Sequence, residues 1–200
     1  MRYIIYSDFV LAHPNLDTLR YFDRILLHCQ QLFAQKHQDY GSAWRILRLP
    51  SLTDQIFIKA RRIRAIQEKG VQKVADEVSG EFIGIINYSL MALMQMGWQQ
   101  HPRLDMPWEE IEAAYVSQVA QIRTLLANKN HDYGEAWRDM RVSSMTDQIL
   151  MKLLRIKQIE DHQGQTLISE GVESIYQDIV NYAVFCLIKT RDFSNEMDQS

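Results

Sequence analysis

The stretch Lys129-Asn130-His131-Asp132-Tyr133-Gly134-Glu135-Ala136-Trp137-Arg138 occurs once before in the chain, as Lys36-His37-Gln38-Asp39-Tyr40-Gly41-Ser42-Ala43-Trp44-Arg45. The register of 93 residues holds beyond the motif: residues 36–68 laid over 129–161 without a gap give 17 identities in 33 positions. Ser51/Ser144, Thr53/Thr146, Asp54/Asp147, Gln55/Gln148, Lys59/Lys152 and Arg62/Arg155 are among them. One inserted residue later, Asn87-Tyr88 matches Asn181-Tyr182. The chain is a tandem duplication, and its function has to be sought both in what the copies share and in where they differ.

With 200 residues and 46% hydrophobic side chains, the chain can bury a core as one domain or two small ones. Its net charge of −3 lacks the basic excess of a protein that coats duplex nucleic acid, so no duplex partner is expected. Cys29 and Cys186 sit far apart inside apolar runs and read as reduced core thiols, which suits a cytoplasmic location. Met1 to Asp8 lacks the apolar core of a signal peptide. The run Tyr182 to Ile188 is far too short for a bilayer span, so a soluble protein with no membrane partner is expected.

Residues 1–14 read as an N-terminal arm. Repeat 1 spans 15–96, a linker with Pro102 and Pro107 spans 97–107, repeat 2 spans 108–191, and a polar tail follows at 192–200. Leu19, Phe22, Ile25, Leu26, Cys29 and Phe33 recur at helical spacing, giving a first helix to about Lys36 that ends at the Asp39-Tyr40-Gly41 turn. Ser51-Leu52-Thr53-Asp54 and Ser144-Met145-Thr146-Asp147 read as capped starts of the second and fifth helices. A third helix is expected over about 71–96, a fourth over 108–129 and a sixth over 167–190. The fold class is therefore all-α: a three-helix unit, duplicated in tandem, packed as a pseudo-two-fold bundle that forms one compact domain.

On the sixth helix, Glu170, Glu173, Ser174, Gln177, Asp178 and Asn181 fall on one face at about 100° per residue, while Val172, Ile175, Ile179 and Ala183 face away. A solvated face is one reading. The other turns Asp178 and Asn181 inward, where a carboxylate needs a cation, a metal or a hydrogen-bond network. The first copy places Asp76, Gly80 and Gly84 at the positions of Glu170, Ser174 and Asp178. Those glycines allow either close helix packing or room for a flat ligand.

Lys152 and Arg155, neighbours on a helix face like Lys59 and Arg62, suit phosphate oxygens or the facing acids equally well. Asp54 and Asp147 read as helix-start residues before metal ligands. Within the repeated motif, one reading is architectural: Gly134 turns the chain, Tyr133 and Trp137 plug the bundle end, and Lys129 pairs with Asp132. The alternative has Tyr133 or Trp137 stacking on a nucleobase with Lys129 reaching its phosphates. No histidine pair stands at metal-ligand spacing, and the chain has no phosphate-binding glycine loop, nucleophile elbow or cysteine pair.

Taken together, Lys-x-x-Asp-Tyr-Gly…Trp, Asp-x-x-x-x-Lys-x-x-Arg and Asp-x-x-Asn-Tyr resemble the nucleotide-modification-associated domain family, a family of unknown function linked to nucleotide metabolism. The resemblance covers both copies. The helical pattern is also distantly similar to the all-α MazG-type nucleoside triphosphate pyrophosphatases, which hold magnesium on acidic helices. Here the chain departs from them, with no Glu-x-x-Asp, no Glu-Glu-x-x-Glu on the fifth helix, and Gly84 in place of the first copy's aspartate.

The resemblance implies a magnesium-dependent nucleotide pyrophosphohydrolase. Glu170, Glu173 and Asp178 would hold Mg2+ and activate water, and Lys129, Lys152 and Arg155 would neutralise phosphates. Asp132, Tyr133, Trp137 and Asn181 would complete the nucleotide site. The alternative is a non-catalytic nucleotide-binding or protein-interaction module. The expected partner is a nucleotide-like small molecule, and the expected state a monomer or homodimer.

Overall fold

The structure is a computed structural model that describes residues 14–69, 78–98, 101, 103–162 and 171–190. The arm (apart from Pro14), the tail and Glu170 lie outside the described residues, as do 71–77 of the expected third helix. Six helices make up the described chain: α1 Pro14–Tyr40, α2 Leu49–Lys69, α3 Val78–Gly97, α4 Trp108–Tyr133, α5 Val142–Asp161 and α6 Val172–Lys189. A 3₁₀ turn follows α1 and α4 at matching places, Ala43–Ile46 and Ala136–Asp139. No strand occurs among the described residues. No described helix is long and apolar enough to cross a membrane.

The most apolar helices, α3 and α6, pack on each other at the centre through buried residues such as Ile85, Ile86, Leu90, Ile179, Val180 and Val184. Against them lie α2 and α5, while α1 pairs with α4. Cys29 and Cys186 are buried free thiols.

The pseudo-two-fold axis is legible in single contacts. Arg64 approaches Asp147 at 3.6 Å, and their counterparts Lys157 and Asp54 form the same pair across the axis. Gln67 donates to the Thr146 hydroxyl at 3.1 Å, and the Thr53 hydroxyl donates to Glu160, the counterpart of Gln67, at 2.7 Å. Residue i meeting j while j′ meets i′ is the signature of an isologous interface, here within one chain.

Those contacts correct the expected helix starts. Both α2 and α5 begin two residues before the serines taken as caps. Thr53 and Thr146 are fully buried inside their helices, with hydroxyls bonded to the carbonyls of Leu49 and Val142 four residues back. Asp54 and Asp147 are exposed partners in the cross-axis pairs rather than helix-start residues. Likewise α1 and α4 extend to the tyrosine of each motif. There Gly41 and Gly134 take left-handed φ values of +57° and +59° and turn the chain, as the spacing predicts.

Candidate functional site

Copy two holds a cavity of about 350 Å³ bounded by the α4 end, its 3₁₀ turn and α6. Its walls are mainly apolar, from Leu126, Trp137, Met140, Tyr182 and Phe185, with a few convergent polar groups from Lys129, Asn130, Glu135, Asp178 and Asn181. That composition is the usual one for a small-molecule site.

Asn181 is the decisive residue. It is 4% exposed, and neither its amide nitrogen nor its carbonyl oxygen has a hydrogen-bond partner. The indole Nε1 of Trp137, also buried, is unpartnered as well. Leaving a buried polar group unpaired costs about 1–3 kcal/mol, so three such atoms on two residues that line one cavity are retained at the expense of stability.

Trp137 does not offer the open ring face that the motif leads one to expect. Phe185 stacks on it with centroids 4.3 Å apart and planes 3° from parallel, and the Arg138 guanidinium lies 4.7 Å from its centroid. Its ring is therefore engaged on both counts, while its Nε1 stays buried and unpartnered. Tyr133, at the rim, is 74% exposed and does not plug the bundle end; its ring faces are open.

Beside the cavity, Asp178 accepts from Lys129 Nζ at 2.5 Å and from Lys152 Nζ at 2.7 Å, one oxygen each. Burial pushes its carboxyl pKa up, but hydrogen bonds and charge from the two lysines outweigh that and hold it below the usual carboxylate range. Lys129 therefore pairs with Asp178, a partner 49 residues away, and not with Asp132. Asp132 is exposed against His131. Lys152 is buried whereas Arg155, one turn on, is exposed, so the two do not present one cationic face.

Two of the three expected magnesium ligands, Glu173 and Asp178, fall among the described residues. Glu173 is exposed, both oxygens of Asp178 are engaged by ammonium groups, and no group of three metal-ligating side chains occurs among the described residues. Glu170 lies outside them.

One cavity residue is not indicated by the motif reading. Glu135 adopts a left-handed φ of 57° without being glycine, at a cost of about 1–3 kcal/mol. Its carboxylate is 6% exposed and held on three sides, by the Thr18 hydroxyl at 2.5 Å, Arg138 Nε at 2.5 Å and Asn130 Nδ2 at 3.4 Å. Its counterpart Ser42, at φ −91°, instead bonds the backbone of Leu104 and Met106. The sequence signal was the Ser/Glu difference inside an otherwise repeated motif.

The first copy carries the same elements with its acid at a different place. Lys59 and Arg62 both pair with Glu81, three residues before Gly84, the counterpart of Asp178. A Cβ at Gly84 would sit 2.7 Å from Lys59 Cε, so the glycine accommodates the lysine on its way to Glu81 and leaves no room for a flat ligand. Gly80 has open space beside it and makes no close helix contact.

The repeated motif, the cation pair of the following helix and the Asn-Tyr pair of the last one coincide with two matches to a single family model, nucleotide modification associated domain 1, over residues 36–96 and 129–190. The chain belongs to that family. Each copy of nucleotide modification associated domain 1 runs from the motif lysine to the end of the apolar central helix, so most of α1 and α4 lies outside the matched units. Comparison with curated proteins and with solved structures returns no match.

Proposed function

We propose that the second copy binds a nucleotide, with the base in the cavity and the phosphate at its lysine-bearing rim. The unpartnered amide of Asn181 carries this reading. A donor and an acceptor side by side, buried and unsatisfied, complement the edge of a nucleobase as they complement few other small molecules. Trp137 Nε1 adds a second donor, and Tyr133 at the rim can stack on the base. Lys129, Lys152 and Asp178 together carry one net positive charge, and the half-exposed Lys129 is placed to turn from Asp178 to a phosphate oxygen.

On this reading the site binds a nucleotide and does not hydrolyse it. A magnesium-dependent pyrophosphohydrolase would need Asp178 released from the two lysines that hold its oxygens. The test is thermal shift against nucleoside mono-, di- and triphosphates, each with magnesium and with chelator. Stabilisation that survives the chelator supports the reading; at 100 times the dissociation constant it amounts to about 2.7 kcal/mol. Stabilisation seen only with magnesium, together with pyrophosphate release, would replace binding by hydrolysis.

A further inference from the structure

The register between the copies extends back into α1 and α4, where buried positions coincide: Thr18 with Ile111, Phe22 with Tyr115, Cys29 with Ile122, Phe33 with Leu126. At the first copy's site the fully buried hydroxyl of Tyr115, reaching over from α4 of the second repeat, donates to Asn87 Oδ1 at 2.9 Å, and Asn87 Nδ2 donates to the Cys29 carbonyl at 3.1 Å. The Tyr115 ring stacks on Phe33 at 5.5 Å, and Trp108 packs on the same phenylalanine at 5.9 Å. Asn87, the counterpart of Asn181, is thus satisfied by the chain itself.

In the second copy the position of Tyr115 is held by Phe22, equally buried and without a hydroxyl, and the amide of Asn181 is left unpaired. Across the axis the two sites differ by a phenol O–H against an aromatic C–H, and by the amide-to-carbonyl bond that Asn87 makes and Asn181 does not. We propose that the first copy is a closed form of the site, in which the Tyr115 hydroxyl stands where a ligand's donor stands in the second. The chain then binds one ligand, not two, and the atom recognised is an N–H or O–H that donates to Asn181 Oδ1. This rests on the binding reading above for the identity of the ligand, but not for the matched positions of Tyr115 and Phe22. A base edge with an N–H beside an acceptor meets both amide atoms at once.

Two variants of the full chain test it, Phe22→Tyr and Tyr115→Phe, each melted without ligand and then titrated with AMP, GMP, CMP, UMP and dTMP. Phe22→Tyr should melt above the wild type, because the new hydroxyl satisfies Asn181 Oδ1, and should bind the tightest of the five at least tenfold more weakly. Tyr115→Phe should melt below the wild type, because it orphans Asn87, and should bind within twofold of wild type at one per chain. Phe22→Tyr melting at or below the wild type, wild-type affinity in that variant, or two ligands per wild-type chain would each overturn the inference. If the wild type binds none of the five, the nucleotide reading fails while the pair of melting shifts still decides whether the first copy is closed by Tyr115.

Discussion

The side chain of Lys59 crosses Gly84 on its way to Glu81, its Cε only 2.7 Å from where a Cβ would stand. The second copy has moved this acid three residues along the helix, from the position of Glu81 to that of Asp178, about 4.5 Å nearer the asparagine. That shift brings the lysine–carboxylate cluster to the cavity wall in one copy and keeps it away in the other.

For Gly84→Ala, the obstructing atoms are the far end of a flexible lysine, so the side chain can move aside. The buried Glu81 keeps its pair with Arg62 when Lys59 moves, so its charge is not left alone. The gain in helix propensity is about 1 kcal/mol. Chemical denaturation should therefore place the variant within about 1 kcal/mol of wild type; a loss of several would mean that the glycine is needed for close helix packing.

Asp178→Asn separates binding from hydrolysis. Its amide no longer competes with a phosphate for Lys129, so nucleotide affinity should rise, by up to about tenfold for one charge-assisted contact. A hydrolase that uses Asp178 for its metal would lose turnover instead. The same variant has a pH signature. The folded carboxyl titrates below its unfolded value near 3.9, so its contribution is present above about pH 4 and is lost as pH falls through the folded value. Acid melting curves of Asp178→Asn should show less of that loss.

Glu160→Gln should stabilise the protein at neutral pH by up to about 1 kcal/mol. Burial raises the pKa of Glu160 more than its bond from Thr53 lowers it, so the folded state holds its proton more tightly than the unfolded chain. Stability is then lost as pH rises from the unfolded value near 4.3 through the folded one, a slope the amide removes. The first copy already has glutamine at this position, bonded to Thr146.

The duplication, the six helices and the left-handed glycines were legible in the sequence because they follow from spacing and from glycine itself. The expected caps failed because Ser-x-Thr-Asp can start a helix or lie inside one. What decided against the cap was a threonine buried against Tyr176 and Glu160 across the axis. Within the site, Asn181, Trp137 and Lys129 were visible as repeated polar or aromatic residues. Glu135, Phe185 and Leu126 were not, since the first differs between copies and the other two read as core. The pairing of Lys129 with Asp178 rather than Asp132 depends on how α4 meets α6, which local spacing does not encode.

The central claim is that the Asn181 amide is kept unpaired for a ligand. Asn181→Leu, close in shape and without polar atoms, tests it by calorimetric titration with the tightest-binding nucleotide beside a melting curve of the ligand-free protein. The account expects the variant to gain about 1–3 kcal/mol of stability. It also expects nucleotide binding to fall at least tenfold. A variant that binds as well as the wild type, or that is destabilised, would contradict it.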